Sequence, residues 1–148
     1  MTSYSDIATL WATQATKGPK KAGNFWRKDR EAGHWYTCIA RIVDSPSGPV
    51  ALILKGHWGT GTAAFINQCD DAAKKAGIPA FKTLEQYANE KAHTANLEYF
   101  EAEALACEAK IPRARSVDWQ AAADRWRETA RLYRQAFKLD AKKLEAAQ

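Results

Sequence analysis

The chain has 148 residues, an apolar fraction of 46% and a net charge of +5. These values exclude a disordered polar chain, and the length is enough to bury one core without disulfides. No apolar run approaches the roughly 20 residues of a transmembrane helix, and the N-terminal residues do not resemble a signal peptide. We therefore expect one compact domain over residues 1–148, located in the cytoplasm and without a membrane partner.

The positive charge is concentrated in one stretch, residues 17–41. This basic stretch holds seven basic and two acidic residues, so it accounts for the whole net charge of the chain. Residues 83–148 carry as many acidic as basic side chains. The basic stretch is therefore the best candidate for an anion-binding surface.

The first half of the chain predicts one helix followed by a small sheet. Ile7, Leu10 and Trp11 share one helical face, so a helix is expected from residue 5 or 6 to about 16, followed by a basic loop. Strands are expected at residues 25–28, 34–43 and 50–55, which are rich in aromatic and β-branched residues. They predict an antiparallel sheet of two or three strands. Alternation along residues 34–43 favours a core face, which consists of Tyr36, Cys38, Ala40 and Ile42.

A glycine-rich loop at residues 56–61 precedes the next helix, for which Thr62 is the expected N-cap and Gly77 the stop signal. Residues 59–64 read G-x-G-x-x-A, a spacing that also occurs where a helix N-terminus binds phosphate. However, the strand before this loop looks like half of a hairpin, and Asp70 follows too early for ribose recognition. A plain turn with an N-cap is the better interpretation.

The last third of the chain predicts a long antiparallel helical hairpin over residues 83–148. A capping box at residues 83–86 opens it, and Pro112 and Ser116 separate its two helices. The second helix has a row of large residues, namely Trp119, Ala122, Trp126, Ala130, Tyr133, Phe137, Ala141 and Leu144. The first helix has a row of small residues, which we expect to face it, namely Leu84, Ala88, Ala92, Ala95, Tyr99, Ala102, Ala106 and Ala109. A second apolar row on the first helix predicts contact with the rest of the domain, and it comprises Leu97, Phe100, Ala104, Cys107 and Ile111.

The predicted fold is therefore α+β and helix-dominated. Residues 1–82 form a mixed α/β part with a small antiparallel sheet packed on helices, and residues 83–148 form the helical hairpin. Cys38, Cys69 and Cys107 are odd in number and lie in apolar segments, so we expect buried, reduced and unligated thiols. His34 and Cys38 are four residues apart but in a predicted strand, so no metal ligand and no other cofactor is predicted.

Cations and aromatic rings alternate within the basic stretch, as they do on surfaces that bind single-stranded nucleic acid. The candidate site residues are Lys20, Lys21, Trp26, Arg27, Lys28, Arg30, Trp35 and Arg41. The same aromatic residues also suit a buried core, since rings in short strands usually pack inside. A secondary basic row on the last helix comprises Arg127, Arg131, Arg134 and Lys138. Its alternative role is to pair with the preceding segment, because residues 83–110 carry a charge of −4 and residues 111–148 a charge of +4.

The leading functional hypothesis is a small non-enzymatic nucleic-acid-binding protein with little sequence specificity, for which single strands are favoured. No catalytic residue is predicted, and an enzyme that uses the loop at residues 56–61 ranks third. The second hypothesis is an adaptor or inhibitor, such as an anti-defence protein of a mobile element, that acts on a protein or nucleoprotein partner. Its basis is the surplus of tryptophan and arginine, which are enriched at protein-binding hot spots.

Overall fold

The computed structural model describes residues 2–56, 59–113 and 117–139. In this part of the chain there are four helices, α1 (Tyr4–Ala12), α2 (Thr60–Lys75), α3 (Glu90–Lys110) and α4 (Trp119–Phe137). One sheet contains the strands in chain order, β1 (Lys21–Ala22), β2 (Phe25–Lys28), β3 (Glu31–His34), β4 (Thr37–Ser45), β5 (Gly48–Leu54) and β6 (Ala80–Thr83). The first five strands pair antiparallel, whereas β6 pairs parallel to β5 after the crossover through α2. The α+β class is confirmed.

The prediction of a two- or three-stranded antiparallel sheet is wrong, because the sheet is mixed and has six strands within the described ranges. The predicted strand over residues 34–43 is two strands, since Trp35 adopts a left-handed backbone (φ +53°) and the chain reverses there. β1 has two residues and β6 has four, which is too short for an alternating pattern to be visible. Strand β5 is part of a hairpin, as expected, but it is also the first strand of a β–α–β unit.

Strand β5 is the centre of the fold, because both of its faces are buried. Val50 and Leu52 lie in one cluster with residues of β6, α3 and α4, while Ala51 and Ile53 lie in another with residues of α1 and α2. Helices therefore pack on both faces of the sheet, and the domain has three layers. Among the described residues no helix has both the length and the apolar character needed to cross a membrane.

A β-bulge at the start of β4 changes which side chains are buried. Ala32 pairs with Ala40 but Gly33 pairs with Cys38, so Ile39 is the extra residue and is buried together with Ala40. The predicted core face of residues 34–43 is therefore wrong at Tyr36 and Cys38. Tyr36 is fully exposed and Cys38 is half-buried, while Ala40 and Ile42 are buried as predicted.

The C-terminal helix pair is confirmed, with α3 and α4 antiparallel. The ring centroids of Phe100 and Tyr133 are 5.5 Å apart. His93, near the N-terminal end of α3, has its ring centroid 4.5 Å from that of Phe137 at the C-terminal end of α4. Helix α3 begins at Glu90 with Asn89 as N-cap, so the predicted start at residue 83 is wrong. Thr83 is not a helix cap because it belongs to β6.

The face that α3 turns towards α4 matches the predicted row of small residues only in part. From that row Ala92 is buried and Tyr99 packs against Trp126 with ring centroids 5.5 Å apart, but Ala102, Ala106 and Ala109 are exposed. The second apolar row contributes more buried residues, namely Leu97, Phe100, Ala104 and Cys107. On α4, Tyr133 and Phe137 are buried as predicted, whereas Trp119 and Trp126 are half-buried. The large phenyl ring of Phe100 thus occupies a contact that the periodicity had assigned to alanines. Ser116, Ala141 and Leu144 lie outside the described residues.

A buried polar network joins α3, α4 and the loop after β6. The Asn96 side chain accepts hydrogen bonds from the backbone N–H groups of Leu84 (3.1 Å) and Glu85 (2.8 Å) and donates to the Tyr133 hydroxyl (3.0 Å). His93 Nδ1 lies 2.8 Å from the same hydroxyl. Burial raises the pKa of Tyr133 to about 12 and lowers the pKa of His93, so both side chains are held in their neutral forms.

Replacement of Tyr133 by phenylalanine tests this network. The change leaves the aromatic ring in place but removes the hydroxyl that Asn96 and His93 share. We expect the free energy of unfolding to fall by about 1–3 kcal/mol, because two buried polar groups lose a partner. Chemical denaturation is the measurement, and Tyr36→Phe, on a fully exposed ring, is the control with an expected change within about 0.5 kcal/mol. Equal stability of Tyr133→Phe and the parent would contradict the network.

Candidate nucleic-acid interface

Four of the candidate residues share one face of the sheet. Lys21 pairs with Trp26, and Lys28 lies two residues further along β2, so their side chains point to the same side. Across the sheet Lys28 pairs with Glu31, and Glu31 pairs with Arg41. We call Lys21, Trp26, Lys28 and Arg41 the basic sheet face.

The basic sheet face is the continuation of the surface on which α3 and α4 pack. Arg41 pairs with Leu52, which belongs to the cluster formed by β5, β6, α3 and α4. That cluster covers the β5–β6 half of the sheet. On the β1–β2 side of the same face, Lys21 and Lys28 are exposed and Trp26 is half-buried. The sheet therefore presents two lysines and an indole ring to solvent at this side.

Arg41 lies at the border between the part of this face that α3 and α4 cover and the part that is open to solvent. Its guanidinium forms a 2.5 Å ion pair with Glu31 and lies 5.0 Å from the ring centroid of Tyr87, in the loop before α3. Because both partners hold the guanidinium, Arg41 contributes less free positive charge than the two lysines.

The turn between β3 and β4 consists of Trp35 and Tyr36, which we call the aromatic turn. The side chain of Trp35 is 58% exposed and that of Tyr36 is 100% exposed. The backbone of Trp35 is fixed by two hydrogen bonds, from its N–H to the Asn24 carbonyl (2.9 Å) and from the Trp26 indole N–H to its carbonyl (2.6 Å). Two large rings thus project into solvent from a rigid backbone, next to the indole of the basic sheet face.

Trp26 is held over the backbone of β3 because residue 33 is glycine. A Cβ atom at Gly33 would lie 2.3 Å from the Thr37 carbonyl oxygen and 2.3 Å from the Trp26 ring. Any larger residue would therefore push the indole away from the sheet. The close contact explains how Trp26 reaches the carbonyl of Trp35 and links the basic sheet face to the aromatic turn.

Arg27 and Arg30 do not belong to this surface. The Arg27 side chain is buried on the opposite face and donates hydrogen bonds to the carbonyls of Ala15 (2.7 Å), Lys17 (3.1 Å) and Pro19 (3.0 Å). It fixes the loop after α1, and its donors are occupied. Arg30, in the turn between β2 and β3, forms a 2.9 Å ion pair with an Asp44 carboxylate oxygen. Lys20 is exposed and precedes β1 directly.

Two of the four residues of the secondary basic row on α4 are paired with carboxylates. Arg127 forms ion pairs with Glu108 and Glu101 of α3, and Arg131 pairs with Glu128 one turn earlier on its own helix. Lys138, the C-cap residue, is exposed, and Arg134 is half-buried. The interhelical pairs of Arg127 agree with the opposite charges of the two segments.

The loop before α2 differs from the predicted plain cap. The N-cap is Gly59, and the hydroxyl of Thr62 lies 2.6 Å from His34 Nδ1 in β3. Residues 57 and 58 of this loop lie outside the described residues. Thr62 therefore anchors α2 to the end of β3, close to the aromatic turn.

The three cysteines form no disulfide bond. Cys69 and Cys107 are buried and Cys38 is half-buried, and all three are free thiols. Burial raises the pKa of Cys38 to about 11 and also raises the pKa of Cys69, so neither thiol ionises near neutral pH. Within the described residues no group of three or more His, Cys, Asp or Glu side chains is arranged to hold a metal ion.

Tyr36 belongs to this surface although it was not among the candidate site residues. The alternation of residues 34–43 placed it in the core, because the turn at Trp35–Tyr36 contains neither glycine nor asparagine, the usual signal of a two-residue hairpin turn. The bulge at Ile39 then reversed the pattern on which the prediction depended.

Comparison with protein-family models, with curated proteins and with solved structures found no match. The function must therefore be inferred from the side chains themselves.

Replacement of Gly33 by alanine tests the position of Trp26. The added methyl group collides with the Thr37 carbonyl and the indole ring, so we expect a loss of stability of about 1–3 kcal/mol, as for other overpacked sites. Denaturant unfolding and tryptophan fluorescence are the measurements. Gly61→Ala in α2 is the matched control, because its Cβ would meet Phe25 at an ordinary 3.8 Å. A Gly33→Ala variant with unchanged stability and fluorescence would show that Trp26 is not held in this way.

Proposed function

We propose that this protein binds single-stranded nucleic acid, with little sequence specificity, on the basic sheet face and the aromatic turn. The observation that carries the proposal is the aromatic turn, in which Trp35 and Tyr36 are exposed while the backbone beneath them is fixed. No catalytic group is part of the proposal.

The backbone of Trp35 supports a functional role for the turn. A bulky residue rarely adopts the left-handed region, which costs on the order of 1–2 kcal/mol for an L-residue. Such strain persists where the surrounding structure enforces it, and it is concentrated at functional sites. Here the hydrogen bonds from Trp26 and to Asn24 enforce it, and the result is a ring directed into solvent.

The two rings suit unpaired bases better than a duplex. Bases in a duplex stack on each other, whereas the bases of a single strand have free faces that stack on aromatic side chains. Each stacked base contributes about 1–3 kcal/mol regardless of its identity. Stacking on Trp35 and Tyr36 therefore supplies affinity without sequence preference.

The lysines supply the complementary charge. Within the described residues Lys20, Lys21 and Lys28 form no ion pair, in contrast to Arg30 and Arg41. Lys21 and Lys28 flank Trp26 on the basic sheet face, so phosphates of a strand stacked at the aromatic turn have cations along the sheet. Each phosphate contact releases counterions and makes the affinity depend on salt.

The adaptor or inhibitor hypothesis remains the second candidate because the same turn favours it. Exposed tryptophan and tyrosine on a rigid backbone are also typical of protein-binding hot spots. The two hypotheses differ in the ligand and in its salt dependence. A protein partner that depends on the aromatic turn does not require Lys21 and Lys28 to set the slope of affinity against salt.

Removal of the two lysines of the sheet face tests the electrostatic part. We expect Lys21→Gln with Lys28→Gln to weaken binding of a labelled single strand and to reduce the slope of log K against log salt by about 1.4, because each single-strand contact contributes about 0.7. Fluorescence anisotropy at several salt concentrations is the measurement. Lys75→Gln with Lys91→Gln removes the same charge from exposed sites elsewhere and should leave the slope close to that of the parent. Identical slopes for the two double variants would refute the lysine contacts.

Truncation of the aromatic turn tests the stacking part. Trp35→Ala and Tyr36→Ala should each lower the affinity about 5- to 150-fold, the equivalent of about 1–3 kcal/mol, with an unchanged salt slope. Leu132→Ala, at another exposed apolar side chain, is the control and should bind as the parent does. If micromolar parent protein leaves single strands unbound at about 0.15 M salt, where non-specific binders have dissociation constants of roughly 10⁻⁴–10⁻⁶ M, the adaptor hypothesis replaces this proposal.

A further inference from the structure

A cleft of about 390 Å³ opens at the carboxyl ends of β5 and β6. One wall is α2 and the other is formed by α3 and α4, and the residues that the argument uses are Lys55, Asn67, Lys82, Tyr99, Glu103 and Trp126. The outer ends of parallel strands are where ligands bind in open α/β sheets. The volume is at the lower end of the roughly 300–1,000 Å³ typical of small-molecule sites.

Two lysines from different elements line this cleft. Lys55 follows β5 and its Nζ lies 5.1 Å from the ring centroid of Tyr99, while Lys82 in β6 has its Nζ 3.3 Å from the Asn67 side-chain oxygen. In the described part of the chain neither ammonium group forms an ion pair. Two cations without an ion-pair partner among the described residues thus lie at a concave surface, together with the single carboxylate of Glu103, and this excess of positive charge favours an anionic ligand.

The wall formed by α3 and α4 is aromatic. The rings of Tyr99 and Trp126 pack edge to face with centroids 5.5 Å apart, and both line the cleft. Burial and the charge of Glu103 raise the pKa of Tyr99, so its hydroxyl stays neutral. The two rings offer apolar contacts to an aromatic ligand, and the Glu103 carboxylate and the Asn67 amide, which line the same cleft, can form hydrogen bonds with ring or sugar groups.

We infer that this cleft binds a nucleotide, with the phosphate on Lys55 and Lys82 and the base against Tyr99 and Trp126. Inorganic phosphate would pair with the lysines but would make no contact with the aromatic wall. An uncharged ring would contact the aromatic wall but would leave the lysines without an anion. A mononucleotide joins the two features within a cleft of this size.

The inference does not depend on the basic sheet face. The cleft consists of other residues, at β5 and β6, and a different experiment tests it. The nucleotide has two sources, since it is either a free mononucleotide or the terminal nucleotide of a strand. A free ligand needs only the cleft, whereas a strand end adds contacts beyond it.

Isothermal titration calorimetry with adenosine, guanosine, cytidine and uridine 5′-monophosphates tests the inference. We expect at least one of them to bind the full chain at a ligand concentration up to roughly 1 mM. We expect binding at least about tenfold weaker than that of the monophosphate for three controls, namely the matching nucleoside, ribose 5-phosphate and inorganic phosphate. The nucleoside lacks the phosphate, and the other two lack the base. Oligonucleotides with and without a terminal phosphate distinguish the second source, since only the phosphorylated end should compete for the cleft.

Lys55→Met and Lys82→Met should each weaken this binding by about tenfold or more. Lys75→Met, at an exposed lysine near the other end of α2, is the matched control and should have no effect. Circular dichroism establishes that the variants are folded. The inference is overturned if neither the four monophosphates nor a phosphorylated strand end binds, or if they bind equally well to Lys55→Met, Lys82→Met and the parent.

Discussion

Strand β5 is buried on both faces, and the arrangement of the domain follows from this constraint. Val50, Ala51, Leu52 and Ile53 are four consecutive residues that are each at most 1% exposed. A strand of this kind requires apolar layers on both sides and hydrogen-bonded neighbours on both edges. Helices α1 and α2 supply one layer, α3 and α4 supply the other, and β4 and β6 occupy the edges.

The same constraint explains where the two proposed sites lie. Helices α3 and α4 pack on the β5–β6 half of one face, so the β1–β2 side of that face is left with exposed lysines. The parallel pairing of β6 brings Lys82 beside the end of β5, and α3 and α4 close the opposite wall of the cleft. A purely antiparallel sheet, as the sequence predicted, would form no such cleft.

Much of the fold could be predicted because the sequence patterns that indicate its main elements extend over many residues. The continuous apolar run of β5 and the helical period of α4 each extend over several residues or turns. The sites where prediction was wrong are short or depend on tertiary contacts. The last alanines of the predicted row on α3, Ala102, Ala106 and Ala109, have the correct period but face solvent, because Phe100 and Leu97 on a neighbouring face bury more apolar area.

The candidate site could be predicted only as a stretch of sequence. Alternation along β2 separates Arg27 from Trp26 and Lys28, but nothing in the sequence says that the arginine side is the buried one. Arg27 is buried because backbone carbonyls of the loop after α1 occupy its donors, a satisfied environment that permits a buried guanidinium. The net charge of the basic stretch therefore overstates the charge that a ligand meets, and the lysines, not the arginines, provide most of it.

The most direct measurement of the proposed interface is a titration of ¹⁵N-labelled protein with a short oligothymidylate, followed by the indole N–H resonances. If a single strand binds the basic sheet face and the aromatic turn, the resonances of Trp26 and Trp35 will shift in a saturable manner. The resonance of Trp11, whose buried indole donates to the Arg30 carbonyl at 2.8 Å, will not. Unchanged Trp26 and Trp35 resonances in the presence of bound oligonucleotide would contradict the account.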